Sequence, residues 1–190
     1  MEYANILNVA GRHDFRRWLE THYDTESECW VKVKRGKPDN DIDLWYLNAV
    51  EEALCFGWID STAKSADGMR LQRFTPRAKN SPWTELNKER VRRLEKLGLM
   101  TDAGRRALPA MGPRSFKIDS ELEQELKSAR VWSSFKKLHP LYQRVRAYNL
   151  MFYRARYPEA YHRMLAHTIE TAKKGKTFGD WNDYGRLLNY

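Results

Sequence analysis

The sequence predicts an α+β protein: a small antiparallel sheet with a β-hairpin, packed by helices and followed by a basic C-terminal helical region. Three observations predict it. Apolar residues recur at helical spacing in residues 12–22 and 44–56. They alternate with polar residues over residues 28–35 and again on both sides of a turn at residues 65–68. Beyond residue 116 the apolar pattern returns to helical spacing.

The first elements follow from these patterns. A near-helical repeat predicts the first helix over residues 12–22, and it consists of Phe15, Trp18, Leu19 and Tyr23. Alternation over residues 28–35 predicts a half-buried strand with Cys29, Val31 and Val33 on one side. A third pattern predicts a helix from about Leu44 to Phe56, followed by a stop at Gly57. Thr84 and Thr101 are suitable caps for two later helices.

The hairpin carries the candidate site. Asp67-Gly68 suits a two-residue turn, which pairs Ala66 with Met69 and Asp60 with Thr75. Strand alternation then places five side chains on one face: Trp58, Asp60, Thr62, Arg73 and Thr75. We expect the other face to pack on the helices through Ile59, Ala63 and Phe74.

Three regions divide the chain. Pro109 and Gly112-Pro113 interrupt the pattern, so we expect an α+β domain over residues 1–115. Residues 116–176 form the basic helical region, with Pro140 and Pro158 suited to first helical positions. Residues 177–190 form an aromatic C-terminal tail that could dock on the body.

The positive charge is concentrated in one region. Residues 130–176 contain eleven Lys and Arg and only two acids, which accounts for the whole net charge of +9. One interpretation is a non-specific nucleic-acid-binding surface that uses Arg154, Arg156, Lys173 and Lys174. The other is a solvated helical surface that aids solubility.

Several classes of protein are not indicated. The sequence has no apolar run long enough for a transmembrane segment, no secretory signal and only two cysteines, so we expect a cytoplasmic protein. Metal-ligand spacings, nucleotide-binding glycine loops and a nucleophile elbow are absent from the sequence. We therefore expect neither a cofactor nor a metal. Cys55, late on an apolar helix, is interpreted as structural.

Asp60, Arg73 and Arg77 form the candidate binding group. Two guanidinium groups suit a carboxylate or a phosphate, so the expected ligand is an anionic small molecule or a peptide carboxylate. Trp58 and Trp83 would wall the site, and Asp60 would orient the arginines. The alternative is a structural Asp–Arg pair that fixes the hairpin to the next loop.

Glu51 is a candidate base. It falls on the apolar arc of its helix, where a carboxylate requires a partner or the rim of a pocket. We interpret it as a residue at the edge of the stripe that reaches water. A hydrolase or transferase with Glu51 or Asp60 as its base remains an alternative function.

A longer motif supports a resemblance. It comprises Glu51-Glu-Ala-Leu-Cys-Phe-Gly-Trp-Ile-Asp60, Arg73-Phe-Thr-Pro-Arg77, Ser81, Trp83, Asn87, Arg90, Leu94 through Gly98, and Met100-Thr101. With this motif the chain resembles the YdeI/OmpD-associated family, also called bacteriocin-protection proteins. The resemblance implies a bacterial protein linked to envelope stress or bacteriocin tolerance, with no established reaction. We therefore expect a non-enzymatic binding or stress-tolerance protein.

Overall fold

The protein has an α+β fold. The computed structural model describes residues 6–37, 43–66 and 69–190. Within them lie four strands, β1 (Ile6–Leu7), β2 (Cys29–Lys32), β3 (Trp58–Ala66) and β4 (Met69–Pro76). Their order in the sheet is β1-β2-β4-β3. The predicted fold class is confirmed, and the β2–β4 and β3–β4 pairs are antiparallel. The parallel β1–β2 pair, which makes the sheet mixed, was not predicted.

Eight α-helices lie in the described residues. They are α1 (Arg12–His22), α2 (Tyr46–Cys55), α3 (Glu85–Lys96), α4 (Asp102–Arg106), α5 (Ser120–Ser128), α6 (Trp132–Lys136), α7 (Pro140–Arg156) and α8 (Pro158–Lys173). The predicted caps of α3 and α4 are confirmed, because Thr84 Oγ1 accepts from Asn87 N at 3.0 Å and Thr101 Oγ1 accepts from Gly104 N at 3.3 Å. Pro140 and Pro158 begin α7 and α8 as predicted.

The chain divides into two compact units. The first consists of Met1–Pro82 and Val91–Pro109, and the second of Trp83–Arg90 and Ala110–Tyr190. The predicted boundary lies at residue 115, and the grouping of residues 83–90 with the helical unit was not predicted.

Aromatic side chains connect α1 to the sheet in the first unit. Phe15 lies 5.3 Å from Phe74 of β4, and Trp18 meets Trp58 of β3 edge to face at 5.7 Å, measured between ring centroids. Phe15 and Phe74 are fully buried. This packing defines the covered face of the sheet, and Cys29, paired with Phe74, lies on the same face.

The second unit has its own core. Helices α5, α6, α7 and α8 bury a cluster that includes Leu122, Phe135, Tyr142 and Leu150. The C-terminal tail packs on α7, because Phe178 and Trp181 meet Tyr142 edge to face at 6.2 and 5.6 Å. Leu187 is buried against Leu141 and Val145. The prediction that the tail docks on the body is therefore confirmed.

Candidate functional site

A β-bulge changes the predicted hairpin register. Ala66 pairs with Met69 as predicted, but Asp60 pairs with Phe74 instead of Thr75. The shift lies between Asp60 and Ala63, where two residues of β3 stand opposite one residue of β4. The predicted turn, Asp67-Gly68, lies outside the described residues.

Gln72 stabilises the bulge. Its side chain is 2% exposed, and its amide nitrogen donates to the carbonyl oxygens of Ser61 and Thr62 at 3.4 and 3.2 Å. These are the two residues of β3 that form the bulge. A side chain of the neighbouring strand therefore satisfies the backbone that the bulge displaces.

The bulge separates Asp60 from Arg73. Directly paired residues share a face and successive residues alternate, so Asp60 lies on the face of Phe74 and Arg73 lies on the other. Asp60 accepts from the Tyr46 hydroxyl at 2.6 Å, whereas Arg73 Nε donates to Glu28 at 2.8 Å. The prediction that one face carries Trp58, Asp60, Thr62, Arg73 and Thr75 is wrong.

An open cleft of about 430 Å³ lies in the first unit. It is bounded by the start of β3, the end of β4 with its following loop, the end of α1 and the short helix α4. Its lining residues are Tyr23, Asp24, Phe56, Gly57, Trp58, Pro76, Arg77, Lys79, Ala103, Arg106 and Ala107. Two members of the sequence-predicted group, Trp58 and Arg77, line this cleft, whereas Asp60 and Arg73 do not. Trp83, the fifth member, belongs to the second unit.

The cleft carries an excess of positive charge. Three cations line it, Arg77, Lys79 and Arg106, against the single carboxylate of Asp24. Lys79 and Arg106 are exposed and make no ion pair with any residue that the structure describes. Arg77 is held in place, since its Nη1 donates to Ser81 Oγ at 3.0 Å and to the Pro82 carbonyl at 3.1 Å.

Aromatic and small apolar residues form the walls of the cleft. Trp58 is 1% exposed, and its indole nitrogen donates to the Tyr23 carbonyl at 3.0 Å. The rings of Tyr23 and Phe56 lie 5.9 Å apart. The arrangement suits a ligand that has an anionic group and an apolar part.

Helix α4 reaches the cleft because two glycines allow a close approach. Gly57 has φ +76°, and a Cβ there would lie 3.1 Å from the Ala103 carbonyl oxygen. A Cβ on Gly104 would lie only 2.2 Å from the carbonyl oxygen of Cys55, the last residue of α2. The same oxygen accepts from the Thr101 hydroxyl at 2.6 Å. These contacts fix Arg106, which sequence reasoning missed because no local pattern indicates where α4 packs.

Glu51 lies in a closed ion network and does not reach water, so its interpretation as an edge residue is wrong. It is 0% exposed, and its two oxygens accept from Arg12 Nη1 at 2.9 Å and Arg93 Nη1 at 2.8 Å. The adjacent Glu52 accepts from Arg12 and Arg16 at 2.5 and 2.8 Å. Burial lowers the pKa of Arg12, but Glu52 and Glu51 more than offset this, and the net pKa is raised.

Both cysteines are structural. Cys29 and Cys55 are free and buried, and burial raises the pKa of each thiol to about 12. At neutral pH both thiols are protonated, and neither is poised as a nucleophile.

The predicted basic surface is partly neutralised within the second unit. Arg154 pairs with Asp119, and Lys174 Nζ lies 2.6 Å from Glu170. Arg156 and Lys173 are exposed and have no ion pair within the described part of the chain. Four more cations of residues 130–176 are likewise exposed and have no ion pair with a described residue: Arg130, Lys136, Lys137 and Lys176.

The fold and the cleft define an α+β protein with a cationic cleft beside a small mixed sheet. A family model described as a domain of unknown function (DUF8412) matches residues 7–107. This is more than half of the chain, and the protein belongs to that family. Every residue that lines the cleft falls within the match. Comparisons with curated proteins and with solved structures give no match. The resemblance to the YdeI/OmpD-associated family stays a prediction.

None of the described helices combines the length and apolarity needed to cross a membrane.

Proposed function

We propose that the protein is a non-enzymatic binding protein that holds a small amphipathic anion in the cleft between β3, β4 and α4. The observation that carries the proposal is the convergence of Arg77, Lys79 and Arg106 on one cleft with a single opposing acid. The sequence suggested Arg73 as an anion-binding residue, and in this proposal Lys79 and Arg106 replace it. Arg77 and Trp58 have the same roles as the sequence suggested.

Charge and shape support this proposal together. Arg106 and Lys79 come from different segments, so their convergence depends on the tertiary fold and not on a run of basic sequence. Arg77 supplies a fixed guanidinium, and a bidentate or charge-assisted contact to an oxyanion is worth more than a neutral hydrogen bond. The apolar wall contributes through burial of the ligand's non-polar part.

The environment of the two carboxylates argues against the acid–base alternative. Glu51 is fully buried and is bonded to two arginines, so no substrate proton has access to it. Asp60 accepts from Tyr46 and does not line the cleft. A hydrolase or transferase that uses either residue as its base therefore has less support than binding.

A titration with defined anions tests the proposal. Inorganic phosphate, benzoate and phenyl phosphate are added at constant ionic strength, and binding is followed by calorimetry and by the thermal unfolding midpoint. We expect phenyl phosphate to bind more tightly than either partial analogue, because it alone joins a dianion to a ring. Arg106→Gln should weaken its binding about tenfold, since a hydrogen bond to a charged group contributes roughly 1.5–3 kcal/mol.

Arg105→Gln is the matched control. Arg105 lies on the same short helix but does not line the cleft, and it pairs with Glu95 and Asp102. Its replacement should leave the affinity unchanged, as should Arg73→Gln on the opposite face of the sheet from Asp60. Equal losses in Arg105→Gln and Arg106→Gln, or no binding of any of the three anions, would refute the cleft as an anion site.

The cellular role in this proposal rests on the resemblance to the bacteriocin-protection proteins. The protein would act in the cytoplasm of a bacterium, where ligand binding contributes to envelope-stress or bacteriocin tolerance. A strain that lacks the gene, complemented with the wild type or with Arg106→Gln, tests this role. Restored bacteriocin survival with the wild type alone is the expected result.

Non-specific nucleic-acid binding through the basic helices is the second candidate. It is favoured by the six exposed cations of residues 130–176 that have no ion pair within the described residues. Arg154 and Lys174, part of the set that the sequence suggested, are engaged with acids, so Arg156 and Lys173 carry more of this proposal.

Salt dependence tests the second candidate. Affinity for single-stranded and double-stranded oligonucleotides is measured from 50 to 300 mM salt. Each phosphate contact steepens the fall of the logarithm of affinity with the logarithm of salt concentration. Reversing Arg156, Lys173 and Lys176 to Glu should abolish binding. An unchanged affinity in this triple variant would exclude the basic helices as the binding surface.

A further inference from the structure

A buried arginine in the helical unit has no acidic partner. Arg146 on α7 is 6% exposed, and its Nη2 donates to the Phe178 carbonyl at 2.8 Å. No carboxylate of a described residue forms an ion pair with it. The partly buried arginines Arg90 and Arg93 differ, since Arg90 pairs with the carboxylate of Asp183 and Arg93 with that of Glu51.

Tyr142, the residue beside Arg146, has a buried hydroxyl that also lacks a hydrogen bond to any described residue. Tyr142 lies one helical turn earlier, is 0% exposed, and its ring centroid is 5.4 Å from Arg146 Cζ. Arg146 Nε and the Tyr142 hydroxyl are both buried without a hydrogen-bond partner among the described residues. A buried charge without a counter-charge is costly, and a buried polar atom without a partner adds to that cost.

Aromatic rings surround Arg146 and Tyr142. Phe178 and Trp181 both meet Tyr142 edge to face, with interplanar angles of 71° and 80°. The Arg146 guanidinium lies over the faces of Phe178 and Tyr142, with Cζ 3.7 and 5.4 Å from the ring centroids, so cation–π contacts hold the guanidinium in place. Gly179 has φ +77°, and a Cβ on it would lie 3.2 Å from Arg146 Nη2, so a side chain would crowd the guanidinium.

We propose that Arg146 and Tyr142 form a binding site for a small monovalent anion of about the size of chloride, enclosed between α7 and the segment Phe178–Trp181. The anion accepts from Arg146 Nε and from the Tyr142 hydroxyl, and it supplies the counter-charge that the chain itself lacks there. The site is separate from the cleft of the first unit and does not depend on the proposed function.

Burial is the largest influence on the Arg146 guanidinium, and it lowers the pKa of that group. A bound anion would favour the charged guanidinium, so burial and anion binding act in opposite directions on the same group. The site itself supplies two hydrogen-bond donors, Arg146 Nε and the Tyr142 hydroxyl, and no carboxylate of a described residue. A bound anion would complete this arrangement.

The experiment compares the full-length protein in sodium chloride and in sodium gluconate at equal ionic strength. Chloride should raise the thermal unfolding midpoint by about 2–4 °C, the shift expected for modest ligand stabilisation of a chain of this size. Crystals soaked in bromide should show an anomalous peak in contact with Arg146 Nε and the Tyr142 hydroxyl. Equal midpoints in the two salts, with no bromide peak at the site, would overturn the proposal.

Tyr142→Phe is the informative variant, because it removes only the hydroxyl and keeps the packed ring. We expect chloride affinity to fall about tenfold, with the unfolding midpoint in gluconate little changed. Arg146→Met should remove the chloride effect entirely, and Lys137→Met, an exposed cation nearby in the chain, should keep it. An undiminished chloride effect in Tyr142→Phe would show that the anion binds elsewhere.

Discussion

Glu51 and Arg93 form a buried ion pair at 2.8 Å in which the carboxylate is fully enclosed and the guanidinium is 17% exposed. Arg12 occupies the other oxygen of Glu51 and also bonds Glu52, so one arginine joins two consecutive carboxylates of α2. A buried network of this kind tolerates the loss of one member poorly, because the remaining charges stay buried without compensation.

Glu51→Gln is therefore expected to destabilise the protein. The substitution keeps the shape of the side chain but places an amide, in part a donor, between two guanidinium groups. Loss of one partner of a buried pair costs about 3 kcal/mol, and urea unfolding should show a decrease of that order. Glu20→Gln is the control: Glu20 pairs with Arg16 at the surface, is 50% exposed, and should change stability by less than about 0.5 kcal/mol. Similar changes in the two variants would contradict the role of the network.

The sequence predicted the elements of the hairpin but not the way its side chains are presented. Alternation of apolar and polar residues identifies β3 and β4 as strands, because each strand buries one of its faces. The bulge at Ser61-Thr62 depends on Gln72 of the other strand, whose amide satisfies both carbonyl groups. Nothing in the local pattern of β3 indicates that interaction, and a one-residue shift moves Asp60 to the other face.

The candidate site was predicted only in part for the same reason. Trp58 and Arg77 lie close to a glycine stop and a strand end, which are features that local sequence reveals. Arg106 reaches the cleft only because Gly104 lets α4 approach the end of α2, and that contact is tertiary. The positive charge of residues 130–176 in the sequence likewise overstates how basic the folded surface is. Asp119, which lies outside that stretch, pairs with Arg154.

Gly104→Ala is expected to displace α4. Its Cβ would lie 2.2 Å from the Cys55 carbonyl oxygen and 2.9 Å from that of Leu54, and backbone atoms cannot move aside as a flexible side chain does. We expect a loss of stability of at least about 2 kcal/mol, in the range of other overpacking substitutions. Anion binding in the cleft should weaken as well, since Arg106 follows on the same helix.

Gly36→Ala provides the comparison for that variant. A Cβ on Gly36 meets no atom within 4 Å, so the substitution should leave the stability unchanged within about 0.5 kcal/mol. Chemical denaturation of both variants checks the prediction. A Gly104→Ala protein as stable as Gly36→Ala would show that α4 does not pack closely against α2.

The two buried thiols predict a loss of stability at alkaline pH. Their pKa values of about 12 in the folded protein lie above the ordinary value of 9.0. Below pH 9 both states are protonated and the contribution to stability is complete. As the pH rises from 9 towards 12, the unfolded chain loses these protons first, so stability falls by about 1 kcal/mol per pH unit for each thiol.

Urea unfolding at pH 8.5, 9.5 and 10.5 measures this dependence. Cys29→Ala and Cys55→Ala should each show a smaller decline than the wild type, because each removes one titrating thiol. The constant cost of the lost side chain shifts the whole curve but does not change its slope. Identical slopes in the wild type and both variants would exclude the thiols as the cause.

Asp183 connects the C-terminal tail to α3. Its two oxygens accept from Arg90 Nε at 2.6 Å and Nη2 at 2.8 Å, and its side chain is 3% exposed. Asp183→Asn removes the charge but retains a residue that tolerates the observed φ of +50°. We expect local opening of the tail, seen as amide exchange of residues 177–190 that is at least tenfold faster, because the partly buried guanidinium of Arg90 loses its counter-charge. Asp180→Asn, at an exposed position, should exchange like the wild type. If the Asp183→Asn tail stays as protected as that control, the tail is held by its apolar contacts at Trp181 and Leu187, and the ion pair contributes little.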